Sequence, residues 1–133
     1  MNARRYTSVV ALVCVLRVVL LSAGCELIGG EDDSEKHIVE VHLQGGFGKA
    51  HVLVTMDERV VFDDTLTGLE PFSGPVKMTM VEAREGQHHI RVSMDGINQK
   101  EATFTVDSKL YIGLQNADIG IIIRIQKTPF GYQ

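Results

Sequence analysis

The sequence predicts an all-β fold: an antiparallel β-sandwich of about eight strands that follows an N-terminal signal helix and a flexible linker. From His37 to Gln133 the apolar residues recur at every second position, in short segments rich in Val, Ile and Thr. Turn-forming residues separate these segments at intervals of roughly eight to twelve residues, which is typical of a sandwich or a barrel. No convincing helical stripe interrupts this pattern.

Each strand is predicted from its own alternation of apolar and polar residues, which turns one face of the strand toward the core. In the fourth segment, Val76, Met78 and Met80 form the apolar set. The strands are expected, in order, at residues 38–43, 51–56, 59–62, 76–81, 90–94, 102–106, 109–115 and 120–127.

The connections between these segments carry turn signals. The loop after the first segment is rich in glycine, and we expect the first two strands to pair as a hairpin around Gly46 and Phe47. Asp57 and Glu58 predict a tight turn, and residues 95–98 contain the Asp-Gly pair that hairpin turns favour.

The last two segments are the most apolar of the chain. Only Gly120 interrupts the isoleucine-rich run at residues 119–123. Because such a run is apolar on both faces of a strand, it predicts a central strand that is covered on both sides.

Residues 1–24 have the organisation of a secretory signal peptide. Arg4 and Arg5 give a short positive region, and residues 8–16 form an apolar run of suitable length. Arg17 then interrupts the apolar stretch, which disfavours a permanent transmembrane helix because a span needs about twenty apolar residues. The arginine pair also leaves a twin-arginine signal open as an alternative.

The residues that follow resemble the lipobox of bacterial lipoproteins. Small residues at positions 22–24 precede Cys25, and Leu21 stands one position earlier than is usual in that motif. The resemblance implies that Cys25 is acylated and becomes the first residue of the mature protein. The alternatives are an ordinary signal peptide cleaved before Cys25, which leaves a free thiol, and an uncleaved anchor.

Residues 25–36 predict a flexible tether between the lipidated cysteine and a domain that spans residues 37–133. The tether contains a glycine pair and the acidic run 31–33, without apolar periodicity. The lipoprotein resemblance implies a lipid-anchored location in the cell envelope. Glu26, which stands where an Asp would favour inner-membrane retention, implies the outer membrane if the host is Gram-negative.

The last third of the chain resembles the small immunoglobulin-like and transthyretin-like sandwich modules of bacterial surface and periplasmic proteins. These include PEGA-type and carboxypeptidase-regulatory-type domains. The strand rhythm of GQHHIRVSMDG, EATFTV, KLYIGL and PFGYQ carries the resemblance. Such modules are usually non-catalytic, so the resemblance implies a binding or structural role.

The charge balance disfavours polyanionic partners. Arg4, Arg5 and Arg17 are three of the 13 basic residues, so residues 25–133 carry ten basic against 17 acidic side chains, a net charge of −7. An acidic domain without a basic cluster repels a phosphate backbone. Nucleic acid is therefore not expected as a partner.

The sequence gives no sign of catalysis, and no cofactor is expected. Cys25, the cysteine of the mature part, is taken up by the lipid, and no nucleophile, zinc-protease, phosphate-loop or paired-cysteine motif occurs. Gly45, Gly46 and Gly48 follow a strand but precede no helix that could bind a phosphate, so they indicate a loop.

The histidines offer a possible metal site. In the predicted hairpin, His42 falls opposite His51, close enough for the two imidazoles to share a Zn or Cu ion. The competing interpretation is that both are solvated residues on an outer face. His88 and His89 are consecutive on a strand and point to opposite faces, so they cannot chelate one ion together.

A few aromatic residues are candidates for ligand contact. Phe47 and Phe72 lie in predicted loops, and the loops around them are our candidate binding loops. Phe130 and Tyr132 near the C-terminus are interpreted as a seal over the end of the sandwich, with a docking tail as the alternative.

The sequence therefore predicts a membrane-anchored envelope lipoprotein whose sandwich is a non-enzymatic binding or structural module. Its expected partners are the membrane, through the lipid on Cys25, and an envelope protein or glycan. The alternative is a periplasmic carrier of a metal or small ligand that uses His42 and His51.

Overall fold

The computed structural model describes residues 33–69 and 74–132. Within them it has eight β-strands and no helix, so the prediction of an all-β fold is confirmed. The predicted signal helix lies outside the described residues, whereas Ser34–Gln133 forms one compact unit. The strands are β1 (Lys36–Gly45), β2 (His51–Met56), β3 (Arg59–Thr65), β4 (Lys77–Arg84), β5 (Gly86–Met94), β6 (Asn98–Val106), β7 (Leu110–Ala117) and β8 (Gly120–Gln126).

The strands form two four-stranded sheets. Sheet A has the order β4-β1-β7-β8, and sheet B has the order β3-β2-β5-β6. The β1–β7 pair is parallel, so sheet A is mixed, and the prediction of a purely antiparallel sandwich is wrong at this pair. Parallel neighbours require a long connection, and the chain from β2 to β6 provides it.

The predicted hairpin between β1 and β2 is also wrong, because the chain crosses from sheet A to sheet B after Gly45. Gly46 has a φ of +81°, and a Cβ atom there would collide with the backbone carbonyl of Asn116. The side-chain amide of Asn116 donates a hydrogen bond of 2.9 Å to the carbonyl of Gly46. Glycine at this position therefore allows the chain to turn against β7 and enter the second sheet.

The inner faces of the two sheets enclose one hydrophobic core. β1 contributes Val39, Val41 and Leu43, and β2 contributes Val52 and Val54, all fully buried. Each fully buried side chain of this size contributes roughly 1.5–3 kcal/mol. The alternation predicted for these two strands is therefore confirmed, although their pairing is not.

Two predicted turns are confirmed. Asp57 and Glu58 have φ values of 48° and 66°, and they connect β2 to its antiparallel neighbour β3. Asp95 and Gly96 have φ values of 53° and 68° in the hairpin between β5 and β6. Positive φ at both central residues matches the twist of the flanking strands.

Two predictions of burial are wrong. Met78 and Met80 are exposed, because β4 pairs with β1 in a register that places Val81 opposite the buried Val39. β8 is an edge strand rather than a central one, since β7 is its neighbour on one side and sheet A ends on the other. In the predicted central run, Ile121 is buried, whereas Ile119 lies in the β7–β8 turn and is exposed.

Candidate functional site

The predicted binding-loop residues have different outcomes. Phe72, like the lipidation candidate Cys25, lies outside the described residues. Phe47 lies in the loop after β1, but only 4% of its surface is exposed, and its ring belongs to the core cluster. The ring of Phe47, a candidate for ligand contact, is therefore not available to a ligand from solvent.

The predicted shared metal site of His42 and His51 is also wrong. His42 alternates with the inward-facing Val41 and Leu43 of sheet A, whereas His51 precedes the inward-facing Val52 of sheet B. Successive strand residues point to opposite faces, so the two histidines occupy the opposite outer faces of the sandwich. The crossing of the chain at Gly46 separates them, and they cannot share an ion.

His42 is not a solvated surface residue either, because 6% of its surface is exposed. Its Nε2 atom lies 3.2 Å from a carboxylate oxygen of Glu40, and its Nδ1 atom lies 2.7 Å from the hydroxyl oxygen of Tyr132. A carboxylate can only accept, so Nε2 donates to Glu40. In the neutral imidazole, Nδ1 then accepts the proton of the tyrosine hydroxyl.

The C-terminal segment covers the outer face of sheet A rather than the end of the sandwich. The ring of Phe130 lies 5.4 Å from that of His42, centroid to centroid. A Cβ atom at Gly113 would lie 2.7 Å from the Cζ atom of Phe130, so the absence of a side chain there leaves the space that this ring occupies. The predicted seal thus has a different place, beside His42 on a sheet face.

Glu40 connects this aromatic group to a lysine. Lys109 Nζ donates a hydrogen bond of 2.6 Å to Glu40 and lies 5.1 Å from the ring centroid of Tyr111. The hydrogen bond from Lys109 holds the pKa of the Glu40 carboxyl below its ordinary value, against the opposing effect of burial, with a further lowering contribution from His42. The part of the outer face of sheet A around His42 is therefore a network of hydrogen-bonded polar groups beside the aromatic rings of the C-terminal segment.

A cleft of about 420 Å³ opens at the end of the sandwich where β1 begins. Lysine and arginine side chains line it from three strands, a histidine lines it from a fourth, and two acidic side chains accompany them. The described residues that line it are Lys36, Met56, Asp57, Arg59, Glu82, Ala83, Arg84 and His88.

His88 and Asp57 form a hydrogen-bonded pair in this cleft. His88 Nδ1 lies 2.5 Å from a carboxylate oxygen of Asp57, and Nε2 lies 2.7 Å from the backbone carbonyl of Arg84. Both partners only accept hydrogen bonds, so both ring nitrogens donate and the imidazole is held in its protonated form. The other carboxylate oxygen of Asp57 accepts a 2.9 Å hydrogen bond from the backbone N–H of His89.

The pKa values of this pair move apart. Burial acts to lower the pKa of His88, but the hydrogen bonds to Asp57 and Arg84 and the charge of Asp57 outweigh it, so the pKa is raised. Burial likewise acts to raise the pKa of Asp57, and the hydrogen bonds from His88 and His89 outweigh it, so that pKa is lowered. The pair is an ion pair that joins the β2–β3 turn to β5.

This pair is not arranged as a general base beside a nucleophile. With both ring nitrogens donating, His88 has no lone pair to accept a proton from a substrate. The described residues that line the cleft include no hydroxyl or thiol side chain. The imidazole therefore acts as a structural cation here.

The opposite end of the sandwich presents three exposed apolar side chains. Leu69 follows β3, Ile97 lies in the β5–β6 turn, and Ile119 lies in the β7–β8 turn; they are 80%, 83% and 88% exposed. We call them the apolar tips. Ile97 and Ile119 also border one surface depression, whose remaining lining includes Lys100 and Asp118.

Backbone contacts place the apolar tips at the end where β1 finishes. Asp95 donates a backbone hydrogen bond of 2.8 Å to the carbonyl of His51, at the start of β2. Leu66, after β3, donates one of 3.0 Å to Ala50. Asn116, near the end of β7, bonds to the carbonyl of Gly46. The three loops therefore lie near the crossing between the sheets, at the end distant from Lys36.

Sequence reasoning missed the apolar tips, although the signals are present. An isoleucine directly after the Asp-Gly pair at positions 95 and 96 occupies a turn, where burial is unusual. Ile119 precedes Gly120 in the sequence ADIG, but the apolar run after it suggested a strand. Exposed large apolar residues grouped at one end of a domain indicate an interaction surface.

Comparisons of this chain with protein-family models, with curated proteins and with solved structures return no match. Within the part of the chain that the structure describes, no helix has the length and apolar character needed to cross a membrane.

Proposed function

We propose that this protein is a lipid-anchored envelope lipoprotein whose β-sandwich binds a partner protein without catalysing a reaction. The observation that carries the proposal is the position of the apolar tips. They lie at the end of the domain distant from Lys36, where the chain enters from the N-terminal segment. Ile97 and Ile119 are exposed at this one end and border the same surface depression, where one partner could cover both.

The chemistry of the apolar tips favours a protein partner over a glycan. Recognition of sugar rings commonly uses exposed aromatic faces, whereas the described tips are aliphatic. Branched aliphatic side chains at a surface bind to apolar pockets on another protein, where their burial contributes about 25 cal/mol per Å² of apolar surface. The domain therefore suits a partner with an apolar depression.

The alternative function, a carrier that uses His42 and His51, loses its basis because those residues lie on opposite outer faces. The protein is still proposed to be an envelope lipoprotein with a binding module, but the expected recognition surface changes. Phe47 is replaced by Ile97 and Ile119 as the side chains expected to contact the partner.

The binding proposal is tested by substituting two of the three apolar tips in the full chain. A double variant Ile97→Ser and Ile119→Ser is compared with wild type and with Met80→Ser, which removes an exposed apolar residue from the face of sheet A. We expect one host envelope protein to cross-link to wild type and to Met80→Ser. Its cross-link to the double variant should be lost. Equal cross-linking by all three would contradict this surface.

Anchoring has a separate test. A Cys25→Ala precursor should lose acyl labelling and should no longer fractionate with membranes, because the thioether cannot form. Acyl labelling that is unchanged in the variant would overturn the lipidation of Cys25, whereas membrane association that persists would show that an uncleaved segment holds the protein. A Cys14→Ala precursor is the matched control, since it removes the cysteine of the expected signal segment and should be labelled normally.

A further inference from the structure

The start of β1 and the turn between β4 and β5 bring together one imidazole and two carboxylates. We infer that Glu35, His37 and Glu85 form a binding site for a divalent transition-metal ion of the Zn²⁺ class. This site is separate from the apolar tips and from the disproved pair His42 and His51.

The backbone holds the three ligand positions together. Glu35 directly precedes β1 and His37 is the second residue of that strand, and their donor atoms lie close together. Glu85 is the single residue between β4 and β5, and its backbone N–H donates a hydrogen bond of 2.8 Å to the carbonyl of Glu35. Two segments that are distant in sequence are thereby fixed side by side.

The donor atoms lie at distances that one ion can bridge. His37 Nε2 is 3.2 Å from Glu85 Oε1, and one donor atom from each of the three residues lies within 4.8 Å of the others. Ligands around a tetrahedral Zn²⁺ ion stand about 3.3–3.6 Å apart, because each bond is about 2.0–2.2 Å. The hydrogen-bonded first pair, at 3.2 Å, is close to this spacing, and a rotation of the exposed Glu35 side chain would bring the third donor atom nearer.

The donor set selects the class of ion. An imidazole nitrogen suits Zn²⁺, Co²⁺ or Ni²⁺, whereas Ca²⁺ and Mg²⁺ prefer six or more oxygen ligands in this kind of exposed site. Two carboxylates balance the dipositive charge, so the occupied site is neutral as a whole. Three protein ligands leave at least one coordination position for water.

The other histidines of the described residues each meet a single carboxylate. His51 contacts Asp63, His88 contacts Asp57, and His89 contacts Glu101. Across residues 33–69 and 74–132, Glu35, His37 and Glu85 are the group in which three potential ligand side chains converge. This difference supplies the control for the experiment.

An ion at this place would join the segment before β1 to the β4–β5 turn. Glu35 lies just outside the first strand, where a backbone hydrogen bond from Glu85 already holds it. Coordination would add a link between the side chains of the same two residues.

The test is a titration of the full chain in detergent with Co²⁺, whose d–d absorption reports coordination directly, followed by displacement with Zn²⁺. We expect one equivalent to bind below about 0.1 mM and to be displaced by Zn²⁺. His37→Ala and Glu85→Gln should each weaken binding about tenfold or more. His89→Ala, which removes an exposed histidine paired with one carboxylate, should leave binding unchanged.

Circular dichroism shows whether each variant is folded. Glu85→Gln keeps the shape of the side chain, so it tests the site even if His37→Ala unfolds. Loss of the absorption band in folded His37→Ala or folded Glu85→Gln, with retention in His89→Ala, supports the site. The absence of Co²⁺ binding to wild type, or equal binding by wild type and both site variants, overturns it.

Discussion

The ring of Tyr132 stacks on the ring of His42, with 5.9 Å between their centroids and 10° between their planes. The two residues are ninety positions apart in the sequence, and their side chains also share a hydrogen bond of 2.7 Å. The last described residue of the chain therefore closes the environment of a histidine on the first strand.

The hydrogen bond between these residues should contribute measurably to stability. Tyr132→Phe keeps the stacked ring but leaves the buried Nδ1 atom of His42 without its partner. We expect the free energy of unfolding to fall by about 1 kcal/mol. Urea unfolding followed by circular dichroism measures the change.

A double-mutant cycle provides the control for that measurement. His42→Gln, Tyr132→Phe and the combined variant are compared, and the two substitutions should be non-additive because they remove one shared interaction. Strictly additive losses would show that the hydrogen bond contributes nothing, and that the tail is held by its apolar contacts.

A side chain at Gly113 should disturb the C-terminal cover. In Gly113→Ala the new Cβ atom would lie 2.7 Å from Phe130 Cζ and 2.8 Å from the side-chain amide of Gln44. Both neighbours are the ends of side chains that can move, so we expect a loss of about 1 kcal/mol, at the low end of overpacking effects. Thermal or urea unfolding measures it.

Gly131→Ala is the matched control, because a Cβ atom there meets nothing within 4 Å. Its unfolding free energy should stay within about 0.5 kcal/mol of wild type. If Gly113→Ala is as stable as Gly131→Ala, the ring of Phe130 does not depend on the space above Gly113.

The sequence was sufficient to predict eight strands and the buried face of most of them, since period-two alternation depends on local residues. It failed at β4, where Met78 and Met80 form an apolar set opposite Val81. Alternation cannot decide which of two apolar faces is buried. The register with β1 decides it, by pairing Val81 with Val39.

The surroundings of His42 were harder to predict from the sequence, because they depend on which strands pair. Two neighbouring strands joined by a short glycine-rich loop have the same pattern whether they form a hairpin or cross between sheets. Two interactions favour the crossing. Gly46 contacts Asn116, which is distant in the sequence, and Phe47 is buried in the core. The position of His42 follows from that crossing and from a tail that local patterns do not reveal.

Phe47 provides a direct test of its reassignment from the binding loop to the core. Phe47→Ala should lower the unfolding free energy by about 3–5 kcal/mol, because it removes a buried ring and leaves a cavity. Lys49→Ala, an exposed residue of the same loop, should change it by less than about 0.5 kcal/mol. A Phe47→Ala protein of wild-type stability would contradict the burial of this ring in the core.

The ion pair of His88 and Asp57 should give stability a particular dependence on pH. The pKa of His88 is raised in the folded protein, so its contribution is complete below the ordinary histidine value of about 6.5 and is lost as the pH rises through the folded value. The pKa of Asp57 is lowered, so its contribution is present above the ordinary value of about 3.9 and is lost as the pH falls through the folded value. The pair therefore stabilises most between these two ordinary values.

The measurement is the urea unfolding free energy of wild type, His88→Gln and His89→Gln from pH 5.5 to pH 9. Wild type and His89→Gln should lose stability as the pH rises above the ordinary histidine value, whereas the slope should be smaller in His88→Gln, which has no proton to lose at this position. His89 is the matched control because it is the next residue on β5 and also meets one carboxylate, that of Glu101. Identical slopes in all three proteins would show that His88 is not held as a cation, because the loss of its proton would then not affect stability.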